Sequence, residues 1–166
     1  EYNDALKFST TISKHPVGIR VPNIWCELDN DNHTDFTKNM CVLSGSDVAI
    51  TAVGPMLKMA LEVAKYIKEK YQKDITVINP INVSNLDYET LDKLKENHKL
   101  IITLEDGELQ GGYGVNIASY LGADAIKVMN FGISKKFHTD FKAEELLAKC
   151  GMSKENLVNI IKDYLS

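Results

Sequence analysis

A short apolar run that stops at Gly-Pro and passes into a 3.6-residue repeat constrains this chain more than any other feature. Val48-Ala49-Ile50-Thr51-Ala52-Val53 is apolar throughout except for Thr51. A run without polar alternation suits a strand covered on both faces. Gly54-Pro55 ends it, and proline is tolerated at the first turn of a helix because its missing N–H has no intrahelical partner there. Leu57, Ala60, Leu61, Ala64, Ile67 and Tyr71 then share one helical face, with Lys58, Glu62, Lys65 and Glu69 opposite.

The same unit recurs downstream. Ile75–Ile78 reads as a strand stopped by Asn79-Pro80, and a helix follows from Asp87, a good N-cap, through Leu91 and Leu94. Leu100–Leu104 is a third buried strand. Gly111-Gly112-Tyr113-Gly114 leads into Val115, Ile117, Ala118 and Leu121 at helical spacing, closed by Gly122, and Ile126–Met129 is a fourth strand. Two helices end the chain: Ala143–Lys149, stopped by Gly151, and Lys154–Leu165, capped by Ser153 with Leu157, Ile160, Ile161 and Tyr164 facing inward. Strands alternating with helices imply βαβ crossovers, hence a three-layer α/β domain with a mostly parallel sheet and helices on both faces.

The first forty residues differ. An amphipathic stretch from Asp4 to Lys14 (Ala5, Leu6, Phe8, Ile12) precedes a strand-like His15–Val21, where Pro16 suits only a strand start or edge. Asn and Asp then crowd the chain (Asn23, Asp29, Asn30, Asp31, Asn32), and their side chains favour turns by bonding nearby backbone. The expected organisation is therefore a leading segment over 1–22, a linker over 23–40 and the main domain over 41–166. The chain opens at Glu1, without Met, directly into a helical pattern, as expected of a piece of something longer.

Of 166 residues, 44% are hydrophobic and 25% charged, enough apolar material for one real core. A formal charge of −4 offers no long-range attraction to nucleic acid or anionic lipid, so neither is expected as a partner. The apolar runs fall far short of the roughly 20 residues that cross a bilayer, and a cytoplasmic location is expected. Cys26, Cys41 and Cys150 form no C-x-x-C pair, which fits reduced thiols.

Ligands of open parallel sheets collect at the carboxyl ends of the strands, here Gly54-Pro55, Asn79-Pro80, Glu105-Asp106 and Asn130. Glu105 to Gly114 is the richest of these. Paired glycines at a helix entrance can offer backbone N–H groups to an anion, but no phosphate-loop signature is present and Glu105, Asp106 and Glu108 repel phosphate. Structural packing of the loop is the preferred reading. A metal site from Cys26, His33 and Cys41 requires unusual spacing, and Ser44-Gly45-Ser46 reads as a turn, not a nucleophile elbow. Arg20, at the exit of an apolar segment, presents a guanidinium able to hold a carboxylate or phosphate through two parallel hydrogen bonds; an ordinary edge charge is the simpler account from physics alone.

The order and spacing of several motifs resemble the C-terminal region of the thiamine-diphosphate-dependent transketolase family, in particular its 1-deoxy-D-xylulose-5-phosphate synthase branch. They are His15-Pro16-Val17-Gly18-Ile19-Arg20-Val21-Pro22, Asp47 to Gly54, Ile78 to Asp87, Thr103-Leu104-Glu105-Asp106-Gly107 with Gly111-Gly112-Tyr113-Gly114, and Phe131-Gly132-Ile133 before Phe137. The resemblance implies a transketolase C-terminal-type domain preceded by the last helix and strand of a pyrimidine-binding domain. It implies, for the intact enzyme, a homodimer that binds thiamine diphosphate and Mg²⁺ through domains absent here, with pyruvate and glyceraldehyde 3-phosphate as substrates. No catalytic, cofactor-binding or metal-binding residue is expected in this chain, which by itself is expected to be inactive. Arg20 matches the arginine expected to bind the aldehyde phosphate, while Glu105, Asp106, Gly111, Gly112 and Gly114 match a structural loop near the subunit contact. The pattern departs at Val21-Pro22-Asn23, where relatives carry a second arginine, and at Thr139-Asp140-Phe141, where they carry His-Gly.

Overall fold

The computed structural model describes residues 2–21 and 35–165. Its centre is a five-stranded sheet of β1 (Met40–Leu43), β2 (Asp47–Ala52), β3 (Thr76–Asn79), β4 (His98–Glu108) and β5 (Lys127–Ile133), in the order β1-β3-β2-β4-β5. All neighbours run parallel except β1, which lies antiparallel to β3 at the edge. The helices are α1 (Tyr2–Lys7), α2 (Met56–Tyr71), α3 (Tyr88–Asn97), α4 (Tyr113–Tyr120), α5 (Ala143–Lys149) and α6 (Lys154–Ile161).

Both faces of the sheet are covered, as the unbroken apolar runs predict. Because successive strand side chains point to opposite sides, Val48, Ile50 and Ala52 of β2 join Leu100, Ile102 and Leu104 of β4 against α2 and α6, where Ala60, Val63, Ile67, Leu157 and Ile161 are buried. Ala49, Ile78 and Ile101 face the other way, onto Leu91 and Leu94 of α3 and Ile117 of α4. Three layers result, with an α/β architecture as the sequence pattern requires.

Local signals act where they were expected. Asp87 caps α3, accepting from the Thr90 N–H at 3.3 Å, and the Ser153 hydroxyl caps α6 by accepting from Asn156 N–H. Gly54 (φ 55°) and Gly151 (φ 83°) take the left-handed conformation that glycine permits. The buried face of α2 is rotated from the one predicted: Met56 and Val63 are buried, Leu57 and Leu61 are only partly buried, and Tyr71 is exposed.

Three elements differ more clearly. The short edge strand β1 lies where a linker was expected to end. β4 runs on past Leu104 through Glu105-Asp106-Gly107, where a loop was expected, since Glu108 still pairs with Ile133 of β5. Residues 15–21, read as a strand, form none, because no described strand pairs with them and an unpaired strand leaves its backbone groups unsatisfied. The preceding segment is α1, continued as a π-helical turn over Phe8–Ile12. Most of the expected linker, 23–34, lies outside the described residues, as does residue 22. Residues 35–39 are tied to the domain, as Asn39 N–H donates to Asp87 at 2.8 Å and Asn82 donates to the Phe36 carbonyl, and to the leading segment, as Phe36 stacks on Phe8.

Candidate functional site

The carboxyl ends of β3, β4 and β5 bring together the groups with chemical potential. Glu105 is buried at 7% exposure and turns toward α4, where one carboxylate oxygen accepts from Tyr113 N–H and the other from Gly114 N–H, each at 2.8 Å. A carboxylate on the first backbone donors of a helix is favoured both by hydrogen bonding and by the helix dipole. The consequence for function is direct. The N–H groups that an anion would use are already filled by the protein's own negative charge, so the glycine loop is not a phosphate cradle.

The glycines make this packing possible. A Cβ on Gly112 would lie 2.7 Å from both Glu105 carboxylate oxygens, and one on Gly114 would lie 2.1 Å from the Thr103 hydroxyl. Gly111 meets no steric limit but has φ 77°, the left-handed turn that reverses the chain into the helix. Behind Gly114 the buried Thr103 hydroxyl donates to the Asn130 side-chain oxygen at 2.9 Å.

Tyr113 reaches in the opposite direction. Its ring is buried and its hydroxyl lies at 3.4–3.5 Å from the Asn39 side chain. Burial pushes the Tyr113 phenol up from its ordinary value, with the Asn39 contact opposing. Asn39 in turn is held by Asp87, whose carboxylate also accepts from the Thr90 hydroxyl at 2.7 Å. Burial pushes the Asp87 carboxyl up, but the hydrogen bonds from Asn39 and Thr90, together with the nearby Lys38 ammonium, outweigh it and hold the group below its usual value. Asn39 and Asn130 lie in no motif, and Thr103 opens the Thr103–Gly107 motif without a role of its own, so sequence reasoning did not connect the three; Asn130, expected at a strand end, lies within β5, which continues to Ile133.

Asp106 is the next residue of β4, in the stretch between Leu104 and Glu108 where the pairing with β5 is irregular. There it meets Arg20: Nη1 donates to Oδ1 at 2.6 Å and Nη2 to Oδ2 at 2.9 Å. The Arg20 side chain remains 64% exposed. Bonding to Asp106 raises the already high Arg20 value, against the opposing effect of burial. Arg20 and Asp106, which the sequence placed in separate segments, are thus direct partners.

No group of three or more His, Cys, Asp or Glu among the described residues is placed to hold a metal ion. Cys26 and His33 lie outside the described residues, and Cys41 and Cys150 are free thiols. With Glu105 committed to a helix cap and Asp106 to Arg20, the described residues do not fit the Mg²⁺-diphosphate end of thiamine diphosphate. No helix among them is long and apolar enough to cross a membrane.

Comparison with known proteins places this arrangement. A 1-deoxy-D-xylulose-5-phosphate synthase of Carboxydothermus hydrogenoformans is 31% identical over 156 residues, 91% of this chain and 25% of that protein. A synthase of the same description from Clostridium tetani is 31% identical over 86% of this chain and 24% of its own length. The chain therefore spans about a quarter of the length of the curated relatives it matches. Among solved structures, a "Split gene transketolase, inactive beta4 tetramer" superposes with a TM-score of 0.72 at 25% identity, covering 83% of this chain and 45% of that one. The family described as "Transketolase, C-terminal domain" matches residues 39–157, the whole sheet and its covering helices up to α6, and the chain belongs to that family.

Proposed function

We propose that this chain is the C-terminal part of a 1-deoxy-D-xylulose-5-phosphate synthase, the enzyme that condenses pyruvate with glyceraldehyde 3-phosphate with loss of CO₂, on the route to isoprenoid, thiamine and pyridoxal precursors. The observation that carries this reading is the 31% identity to such a synthase along 91% of the chain. Residues 1–22 are then the end of the pyrimidine-binding domain, 23–40 a linker, and 41–166 the companion domain.

Thiamine diphosphate, held with Mg²⁺ by the parts of the enzyme outside this chain, supplies the electron sink for decarboxylation. The residues present serve other ends. Arg20 anchors the phosphate of the acceptor aldehyde by charge-assisted hydrogen bonds. Glu105, Asp106, Gly111, Gly112 and Gly114 form a rigid element near the contact between the two subunits of a homodimer. The enzyme is cytoplasmic, takes small-molecule substrates and binds neither nucleic acid nor membrane. The chain by itself is inactive.

A second reading draws on the solved neighbour, of which this chain covers 45%: a split-gene transketolase whose cofactor-binding half is a separate polypeptide. The neighbouring coding sequence separates the two, an in-frame upstream continuation supporting the synthase.

Two measurements test the proposal. Calorimetry of the chain with thiamine diphosphate and Mg²⁺ is expected to show no binding, and a micromolar Kd would overturn it. In the polypeptide that includes the upstream part, Arg20→Ala is expected to raise KM for glyceraldehyde 3-phosphate far more than KM for pyruvate. Equal effects on both would remove Arg20 from this role.

A further inference from the structure

At the amino ends of β2, β3 and β4, away from the groups described above, a titratable ring joins a chain of hydrogen bonds. His98 opens β4 opposite Asp47, the first residue of β2. Its half-buried ring is engaged at both nitrogens. Nδ1 lies 3.1 Å from the Leu94 carbonyl near the end of α3, and Nε2 lies 2.8 Å from the hydroxyl of Thr76, the first residue of β3. A carbonyl only accepts, so the neutral ring carries its hydrogen on Nδ1 and accepts from Thr76 at Nε2.

The Thr76 side chain, on a residue 4% exposed, continues the chain to the turn between β1 and β2. Its oxygen accepts from Gly45 N–H at 3.1 Å and lies 3.2 Å from the Gly45 carbonyl. A hydroxyl has one hydrogen to give. While that hydrogen points at Nε2, the Gly45 carbonyl goes without it. The backbone of the turn is held in place: Ser46 N–H donates to the Asp74 carbonyl at 3.0 Å, and a Cβ on Gly45 would lie 2.2 Å from the same oxygen. The hydroxyl hydrogen is the part that can turn.

We propose that His98, Thr76 and Gly45 form a proton-sensing relay: when Nε2 takes up a proton, the Thr76 hydroxyl swings its hydrogen from the ring to the Gly45 carbonyl and fastens the turn that leads from the edge strand β1. The proton comes from solvent, and no covalent bond of Thr76 changes. In the charged state Nε2–H donates to Oγ1, which still accepts from Gly45 N–H, so each of these polar atoms has a partner. Burial pushes the ring below its usual 6.5, while the Leu94 carbonyl and the Asp47 charge raise it. Lys99, 2.9 Å from the Asp47 carboxylate, tempers that attraction. Among the other charged groups on the surrounding elements, Asp74 before β3 is bonded to Lys68, and α3 brings Lys95, bonded to Asp92 and Asp124, and the exposed Glu96. The bond gained at Gly45 offsets part of the cost of charging the ring.

NMR of the isotope-labelled chain, as pH falls from alkaline values to the onset of acid unfolding, tests the relay. Long-range ¹H–¹⁵N spectra show which ring nitrogen of His98 is protonated, and the ¹³C shift of the Gly45 carbonyl, read through the Ser46 amide, reports its hydrogen bonding. The wild type is expected to hold the Nδ1–H form at high pH, with the Gly45 carbonyl moving at the same midpoint as the ring. Thr76→Val keeps the shape without the hydroxyl; it should abolish the carbonyl shift and lower the ring's pKa by about one unit, whereas Thr76→Ser should keep both. A second reading needs no variant: cross-relaxation of the buried Thr76 hydroxyl proton should pass from the His98 ring above the midpoint to the Gly45 Hα below it. A carbonyl that still titrates in Thr76→Val senses only the ring's charge and overturns the relay. So does an Nε2–H ring at high pH, a ring that titrates with the hydroxyl proton and the Gly45 carbonyl unmoved, or a ring that stays neutral down to unfolding.

Discussion

The Glu105 carboxylate caps a helix that begins eight residues later, accepting the backbone N–H groups of Tyr113 and Gly114 with one oxygen each. It thereby joins the end of β4 to the start of α4 and fixes the reversal through Gly111 and Gly112. Glu105→Gln keeps one acceptor but turns an NH₂ toward a backbone N–H, leaving a buried donor unsatisfied at a cost of about 1–3 kcal/mol. Urea unfolding should show that loss. A change below about 0.5 kcal/mol, typical of unimportant surface sites, would mean that water replaces the cap.

Glycine substitutions in this turn should separate into two classes. Gly114→Ala places a methyl 2.1 Å from the Thr103 hydroxyl and should cost about 2–3 kcal/mol through overpacking. Adding Thr103→Ala removes that hydroxyl and should recover part of the loss, a coupling expected of residues in contact. Gly111→Ala meets nothing within 4 Å and suffers only from its φ of 77°, a cost of about 1–2 kcal/mol that Thr103→Ala leaves unchanged. Rescue of both by Thr103→Ala, or of neither, would contradict the packing described.

His98 should make stability fall with acid. Its Nδ1 lies 3.1 Å from the Leu94 carbonyl, which can only accept, so Nδ1 carries the proton and Nε2 faces the Thr76 hydroxyl at 2.8 Å. Burial pushes its folded value below 6.5, against the raising effects of the Leu94 carbonyl and the Asp47 charge. A depressed folded value means that the unfolded chain takes up the proton first. The neutral ring therefore stabilises the fold fully above the unfolded value, and that contribution is lost as pH falls through the folded one. Unfolding free energies between about pH 7.5 and 5.5 should decline in the wild type and decline less in His98→Gln. Equal slopes would remove His98 from the account.

Asp87 ties residues 35–39 to the domain. Asp87→Asn weakens the bonds to Asn39 N–H and to Thr90 and should cost about 1–2 kcal/mol, as for the loss of a helix cap. Hydrogen exchange gives the local readout: the Asn39 amide should lose protection more than the amides of β2. Because the folded Asp87 carboxyl sits below its usual value of 3.8, its contribution is present above that value and is lost as pH falls through the lower folded one. The Asn variant should therefore show a shallower acid limb.

What the sequence determined was whatever depends on near neighbours. Val48–Val53 had to be a doubly covered strand, Gly54-Pro55 had to stop it, Asp87 and Ser153 had to cap, and Gly151 had to end a helix, because each signal acts within a few residues of itself. Resemblance along the chain carried the family, since the motifs keep their order. What only the tertiary structure decided depends on partners far away in sequence. Met40–Leu43 becomes a strand because β3 offers an edge, and His15–Val21 does not, because no described strand lies beside it. β4 passes through Gly107 because β5 pairs with Glu108. Glu105 takes the backbone N–H groups at the start of α4, and Arg20 finds Asp106 across 86 residues, because the folded sheet sets β4 beside segments distant in sequence. Proximity of that kind appears only when the sheet has formed.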